Sequence, residues 1–250
     1  KVASRNSWES NYDFIVVGAG AAGSVVAARL SENPKVKILL IEAGGPENAI
    51  TDIPTFTLAS SYQTSLWSYK TVPQNYLCGQ FENNQCSIIQ GKYLGGSSAV
   101  NGMAYYRGLQ SDYDNWEKVY GAKGWSFKDV LPYYIGSENQ TNKEVLAKRD
   151  AFHGVRGPLT VSTISGEPAE FFSNVVKAHK NLSYEYDIDI NTSTYNKKFG
   201  YYQQTIKDGH RLSTSAAFLE PNIQRPNLHI LAYTTATKVL FNNQNKTSGV

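Results

Sequence analysis

An α/β fold that opens on a Rossmann-like unit is the class this sequence predicts, from three adjoining observations. Asp13-Phe14-Ile15-Val16-Val17 is a short apolar, β-branched run, the pattern of a buried strand. Gly18-Ala19-Gly20-Ala21-Ala22-Gly23 follows at once and leads into an alanine-rich helical pattern that runs through Ala28 to about Ser31. A second apolar run, Val36-Lys37-Ile38-Leu39-Leu40-Ile41, ends on Glu42. The order is strand, glycine turn, helix, strand, acid.

Each part of that order has a physical reason. Gly18 makes the tight turn, Gly20 lets backbone approach a pyrophosphate, and Gly23 lets helix and strand pack closely. The helix N-terminus offers unpaired N–H groups and a positive dipole end to phosphates. Glu42 follows Gly23 by 19 residues, close to the roughly 20 expected for an acid that bonds a ribose hydroxyl. The reading is dinucleotide binding, set against an ordinary βαβ unit with a glycine turn. The unit alone does not separate NAD from FAD.

Residues 91–108 make the separation. They read Gly-Lys-Tyr-Leu-Gly-Gly-Ser-Ser-Ala-Val-Asn-Gly-Met-Ala-Tyr-Tyr-Arg-Gly. Gly95 and Gly96 let backbone N–H groups come close to an anion, and Ser97 and Ser98 add hydroxyls. The bland alternative is a glycine-serine surface turn. The stretch resembles the first signature of the glucose-methanol-choline (GMC) oxidoreductases, which are FAD enzymes. The match runs through Gly91-Lys92, Leu94-Gly95-Gly96-Ser97-Ser98, Val100-Asn101, Tyr105 and Gly108, with Asp114 six residues on.

That resemblance implies a cofactor-binding set. It takes Gly18, Gly20, Ala21, Ala22, Gly23, Glu42 and Ala43 from the first unit. It takes Tyr93, Gly96, Ser97, Ser98, Asn101, Gly102, Met103 and Ala104 from the signature, with Asn101 and Gly102 beside the flavin ring. It adds Ala236, where the family usually has valine; the family contact there is through backbone and would survive the change. The same resemblance continues through Trp116, Gly124-Trp125-Ser126, His153-Gly154-Val155-Arg156-Gly157-Pro158-Leu159, the segment Asp208 to Leu219, and Pro226-Asn227-Leu228-His229-Ile230-Leu231. It covers nearly the whole chain from Tyr12 on.

In GMC enzymes the catalytic histidine and its His or Asn partner lie beyond the stretch matched here. His153, His179, His210 and His229 do not occupy those places, so no catalytic residue is expected in this chain. A start at Lys1 and an end at Val250, inside a strand-like pattern, fit the N-terminal part of a longer protein. Its C-terminal half is then its first partner.

The expected organisation is a FAD-binding part at 12–160, with 46–90 as a flavin-covering loop. An α+β substrate domain starts at 161–220, and 221–250 returns to the FAD-binding domain. Residues 1–11 read as a disordered lead. Helical segments are expected around 111–136. Pro168 to Lys180 reads as an amphipathic helix through Phe171, Phe172, Val175, Val176 and His179, with His179 an ordinary edge residue. Tyr201 to Ile206 reads as a strand followed by an Asp208-Gly209 turn. Its tyrosines either line a cavity or pack.

Composition sets limits. The 250 residues are 41% hydrophobic and 18% charged, with a net charge of +3. That balance fits a soluble protein with a large core. It gives no case for nucleic acid, since Lys and Arg do not alternate with aromatics. No apolar run nears the roughly 20 residues that span a bilayer, so no membrane partner is expected. Four sequons occur, at Asn139-Gln140-Thr141, Asn181-Leu182-Ser183, Asn191-Thr192-Ser193 and Asn245-Lys246-Thr247. Cys78 and Cys86 make a poor zinc set. A local disulfide is favoured over two free thiols, and closing so short a loop is worth roughly 2–3 kcal/mol in the chain-entropy model. Together these point to a secreted, extracellular protein.

The resemblance implies oxidation of a small-molecule alcohol to a carbonyl, with hydride passing to FAD and oxygen or a quinone as final acceptor. The run Trp8-Glu9-Ser10-Asn11-Tyr12-Asp13, the cysteine loop and Tyr105-Tyr106-Arg107-Gly108 look most like the insect branch of the family. An aromatic alcohol such as salicyl alcohol is the sharper expectation there, and glucose with a quinone acceptor the alternative. A truncated or inactive paralogue that binds only flavin or a partner is the competing class. An NAD dehydrogenase is disfavoured by residues 91–108.

Overall fold

The computed structural model describes residues 8–56, 65–163, 170–192 and 198–250. They fall into two compact units. One takes the chain up to Gly102 and returns with Gly209–Val250; the other is Met103–Asp208. Residues 1–7 of the lead expected at 1–11, Pro168 and Ser193 of the third sequon lie outside the described residues.

The first unit is built on a parallel three-stranded sheet. β1 (Phe14–Val17) leads through α1 (Ala21–Leu30) to β2 (Ile38–Ile41), and the strand Leu228–Leu231 pairs on the other side of β2. Phe14 and Leu228 both align with Ile38, and Val17 and Leu231 both align with Ile41. Parallel neighbours need a crossover, and α1 supplies it. β2 is central and wholly buried. The core gathers Ala19, Ala27, Ile38, Leu40, Leu94, Leu219, Leu228 and Ile230. Ser24, Ala27 and Ala28 form the buried face of α1 at helical spacing. The Asn227 amide holds the turn after α1 by donating to the carbonyls of Ser31, Asn33 and Val36.

One expectation fails here. β1 is not a buried strand: Phe14 is 48% and Val17 53% exposed. It is the edge of this sheet, with β2 on one side only. A local apolar run reports that burial is wanted, not what covers it.

The stretch 46–90 has structure of its own. Asn48 caps a short helix, Ala49–Asp52, by accepting from the N–H groups of Ile50 and Thr51. Leu66–Lys70 and Ser87–Gly91 form an antiparallel hairpin from Leu66↔Gly91 to Lys70↔Ser87. Cys78 and Cys86 are disulfide-bonded at its tip, with Cα atoms 5.5 Å apart.

The second unit carries the helices Gln110–Lys118 and Phe127–Ser137 in the expected region. The amphipathic helix is Glu170–Asn181. The strand expected at 201–206 is two short pieces, Gln203–Gln204 and Ile206–Lys207. Glu138–Gln140 pairs in parallel with Leu159–Val161. The two motif glycines sit where side chains cannot. A Cβ on Gly154 would lie 1.9 Å from the Ile135 carbonyl oxygen, and one on Gly157 would lie 2.1 Å from the Ser137 carbonyl carbon.

The centre of this unit is polar. Arg107, Glu138, His153, Asp189, Asn191 and Gln203 are all buried. Arg107 Nη2 donates to Glu138 Oε2 at 2.7 Å. His153 Nδ1 lies 3.1 Å from both Glu138 oxygens, and its Nε2 lies 2.9 Å from Asp189 Oδ2. Carboxylates only accept, so both ring nitrogens carry protons and the ring is an imidazolium. Gly154 N–H and the Gln140 amide also donate to Glu138. Asn191 N–H and the Gln203 amide donate to Asp189. Two cations and two anions balance, and each of their side-chain nitrogens and oxygens has a hydrogen-bond partner, the condition under which buried charge is tolerated. Burial alone would lower the pKa of His153. Its bonds to Asp189 and Glu138 outweigh that and push it up to about 9.

The sign follows. The folded value lies above the ordinary 6.5, so the stabilisation is complete below that and is lost as pH rises through about 9. His153→Ala should cost about 3–5 kcal/mol, because it leaves the buried Asp189 carboxylate without its cation and the network with a surplus negative charge. It should also flatten the alkaline fall in stability. Urea unfolding of both proteins from pH 6 to 10 checks this; parallel pH profiles would show that His153 is not charged in the fold.

Candidate dinucleotide site

The site is built at the C-terminal ends of β1 and β2. Gly18 takes φ +92°, a left-handed turn, and its N–H donates to the Ile41 carbonyl at 2.7 Å. Gly20 then caps α1 with no side chain over the first-turn N–H groups. The glycines have different neighbours. A Cβ on Gly23 would sit 1.9 Å from the Gly18 carbonyl oxygen, so the helix closes on its own turn only with glycine there. Among the described residues, a Cβ on Gly20 would meet only Gly96 Cα, at 3.9 Å. The protein leaves Gly20 open.

The second glycine turn backs onto the first. Gly95 N–H donates to Ala19 O at 2.7 Å. A Cβ on Gly96 would lie 2.6 Å from Gly20 Cα. Gly95 and Gly96 both take positive φ, +94° and +54°. Ser98 Oγ donates to Gly95 O and accepts from Thr214 N–H, so it closes the turn. Ser97 Oγ accepts from Gly91 N–H, which leaves its own O–H as a donor.

Glu42 ties the pieces together. It is buried; Oε2 accepts from Ala19 N–H at 2.7 Å and Oε1 from Gly44 N–H at 2.8 Å. A carboxylate has about four acceptor positions, so each oxygen keeps one for a ligand hydroxyl. Ala43 joins Glu42 to Gly44, where a Cβ would fall 1.9 Å from Lys92 O. Tyr93 is buried and bridges to Gly45. Ala236 is half-buried beyond the strand Leu228–Leu231, two residues after Thr234, whose N–H donates to Glu42 O.

Arg211 is the residue that sequence reasoning missed. Its Nε donates to Thr51 O at 2.7 Å, and Nη1 reaches Asn101 O at 2.6 Å and Asn101 Oδ1 at 3.0 Å. It pins the Ser98–Asn101 stretch from the returning segment. Its only signal was its place in the family segment from Asp208 to Leu219.

Ala21 and Ala22 begin α1, and Gly102 has open space at its Cα. All the expected residues up to Gly102, and Ala236, fall in the first unit. Met103 and Ala104 fall in the second. There Met103 is buried with φ +59°, and its carbonyl accepts from Thr205 N–H; Ala104 pairs with Gln204. The first-unit arrangement is an open helix N-terminus between two glycine turns, with an acid one strand away. That donor set suits a pyrophosphate and a ribose.

Known proteins share this arrangement of chain. A family model described as GMC oxidoreductase matches residues 12–250. The chain is 41% identical over 238 residues to a glucose dehydrogenase (FAD, quinone) of Drosophila pseudoobscura pseudoobscura, covering 95% of this chain and 37% of that one. It is 37% identical over 239 residues to an oxygen-dependent choline dehydrogenase of Xanthomonas euvesicatoria pv. vesicatoria, covering 93% and 41%. Among solved structures, pyridoxine 4-oxidase from Mesorbium loti superposes with a TM-score of 0.83 at 28% identity, over 93% of this chain and 44% of that one. The chain thus spans about two fifths of the length of the curated relatives it matches.

The two open-or-closed glycines give a paired test. Gly20→Ala should leave thermal stability nearly unchanged and lose the dinucleotide, because its Cβ fills the ligand side only. Gly23→Ala should destabilise the fold by about 1–3 kcal/mol or more through overpacking. Bound dinucleotide and melting temperature, read together, check both. A Gly20→Ala protein with full dinucleotide content would remove this turn from the site.

Proposed function

The chain belongs to the GMC oxidoreductases, and from that premise we propose that it is the FAD-holding, N-terminal part of an enzyme that oxidises an alcohol to a carbonyl. The observation that carries the reading is the contact of two glycine turns over an open helix N-terminus, with Glu42 beside them. FAD, when bound, supplies the hydride acceptor. The chain's own residues hold it. The N–H groups at Gly20 and the first turn of α1 take the pyrophosphate, the Ser97 O–H adds a donor, and Glu42 takes a ribose hydroxyl.

The proton of the alcohol goes to a base outside this chain. His153 and His229 have both ring nitrogens engaged, the latter by Tyr12 Oη and the Pro226 carbonyl. His179 Nδ1 is turned to Val175 O. The partner that brings the base is the C-terminal half of the same protein. The exposed apolar edge at Phe14–Val17 supports such a neighbour, since a bare parallel edge is an open template for another strand. The division into a cofactor part at 12–160 and 221–250 and a substrate part opening at 161–220 belongs to the same proposal.

The substrate is a small alcohol, and we favour an aromatic one such as salicyl alcohol, with oxygen or a quinone as acceptor. Export is supported by the Cys78–Cys86 bond. It is supported too by the surface positions of Asn181 and Asn245, whereas Asn191 is buried with its amide donating to Tyr105 O and Gln203 and drops out of that argument. Among the described residues no helix is long and apolar enough to cross a membrane.

The test is to purify the whole protein, denature it and identify what it releases. FAD in about one-to-one amount is expected, and release of NAD or of no dinucleotide defeats the reading. Hydrogen exchange adds a second check: the amides of Ile15 and Val17, which point away from β2, should be protected in the whole protein and exchange fast in this chain alone.

A further inference from the structure

Glu47 is a half-buried acid that none of the preceding chemistry uses. Its Oε1 is buried and has no hydrogen-bond partner among the described residues. It lies against the second glycine turn: a Cβ on Gly95 would come 2.7 Å from Glu47 Oε1 and 3.2 Å from Ser213 Oγ. Ser213 supplies a hydrogen bond to the carboxyl. The other charged groups that face it are Asp52 on the short helix, Glu220 on the turn Glu220–Asn222, and Arg211. Arg211 directs its guanidinium to the carbonyls of Thr51, Ser98 and Asn101. Two acids and one cation around a third acid leave no surplus positive charge for it.

An orphaned oxygen in such a place is costly on a carboxylate and tolerable on a carboxylic acid. We propose that Glu47 is a positioning residue of the dinucleotide cradle that works as the neutral acid, and that its ionisation sets a negative charge behind the Gly95–Gly96 turn and loosens the bound pyrophosphate. The inference rests on the FAD reading given above.

Burial, with Asp52 and Glu220 adding to it against the opposing Ser213 bond and Arg211, pushes the Glu47 pKa up to about 7. The acid is therefore neutral at mildly acidic pH and charged at mildly alkaline pH. Retention of the cofactor is greatest below that value and falls as pH rises through it. The fold feels the same sign. An acid whose pKa is raised on folding stabilises most at low pH, and that gain is gone above about 7.

The experiment uses the whole flavin-loaded protein. Free flavin is measured by fluorescence after ultrafiltration, at steps from pH 5.5 to 8.5, for the native protein and for Glu47→Gln and Glu47→Leu. The native protein should release flavin several-fold faster above pH 7 than below it. Both variants should stay at the slow, low-pH rate throughout, and Glu47→Gln should melt higher than native at pH 8. An equal rise in the variants, or no rise in the native protein, overturns the role of Glu47 and leaves the FAD reading standing. A protein that retains no flavin at any pH overturns both. Melting curves separate a variant that misfolds from one that binds differently.

Discussion

The cradle depends on one close approach, that of Gly96 to Gly20. A single added carbon at position 96 would fall 2.6 Å from Gly20 Cα. Everything around that contact serves to hold two tight turns together. Gly18, Gly95 and Gly96 all take positive φ, which glycine adopts without a steric penalty. Gly95 N–H reaches Ala19 O, Glu42 clamps Ala19 N–H from the end of β2, and Arg211 fixes the stretch that follows. The contact joins residues about 75 apart in sequence, so it exists only once β1, β2 and the return through Leu94 share one core.

This explains what could be read from the chain and what could not. The βαβ unit was legible because its signals are local: two apolar runs, an alanine-rich helix and three glycines with separate steric duties. Gly18 turns the chain and Gly23 closes the helix on that turn, as their spacing implied, and Gly20 leaves its side of the turn open. β1 was misjudged because an apolar run cannot say whether its neighbour belongs to the same stretch of chain. Arg211 and Asn227 were invisible for a related reason. Each is a polar side chain that donates mainly to backbone carbonyls, and backbone carbonyls carry no sequence signature. His153 was noticed only as part of a motif; its meaning depends on Glu138 and Asp189, 15 and 36 residues away.

The two units solve stability differently. The first buries aliphatic side chains between a parallel sheet and α1, where the driving force is apolar area. The second buries a balanced set of charges and amides at its centre. Such a network adds less to stability than an apolar core of equal volume, but it tolerates few alternative arrangements, since any shift orphans a charge. Gln140, Asn191 and Gln203 matter for that reason. They bring neutral donors to the carboxylates without changing the charge balance.

Three glutamates show how much environment decides. Glu138 is buried with a guanidinium, an imidazolium, a backbone N–H and an amide around it. Glu42 is buried with two backbone N–H groups at the positive end of a helix, and lone pairs to share with a ligand. Glu47 is packed against a glycine turn with one hydroxyl, two other acids and only the Arg211 guanidinium to offset them. The first is suited to hold structure and the second to hold structure and ligand. The third is held most comfortably without its charge. A site proposed to bind an anion keeps negative charge at a distance or neutralises it, and an acid beside the Gly95–Gly96 turn suits such a site better protonated than charged. The proton on Glu47 is then as much a part of the cradle as the glycines it lies against.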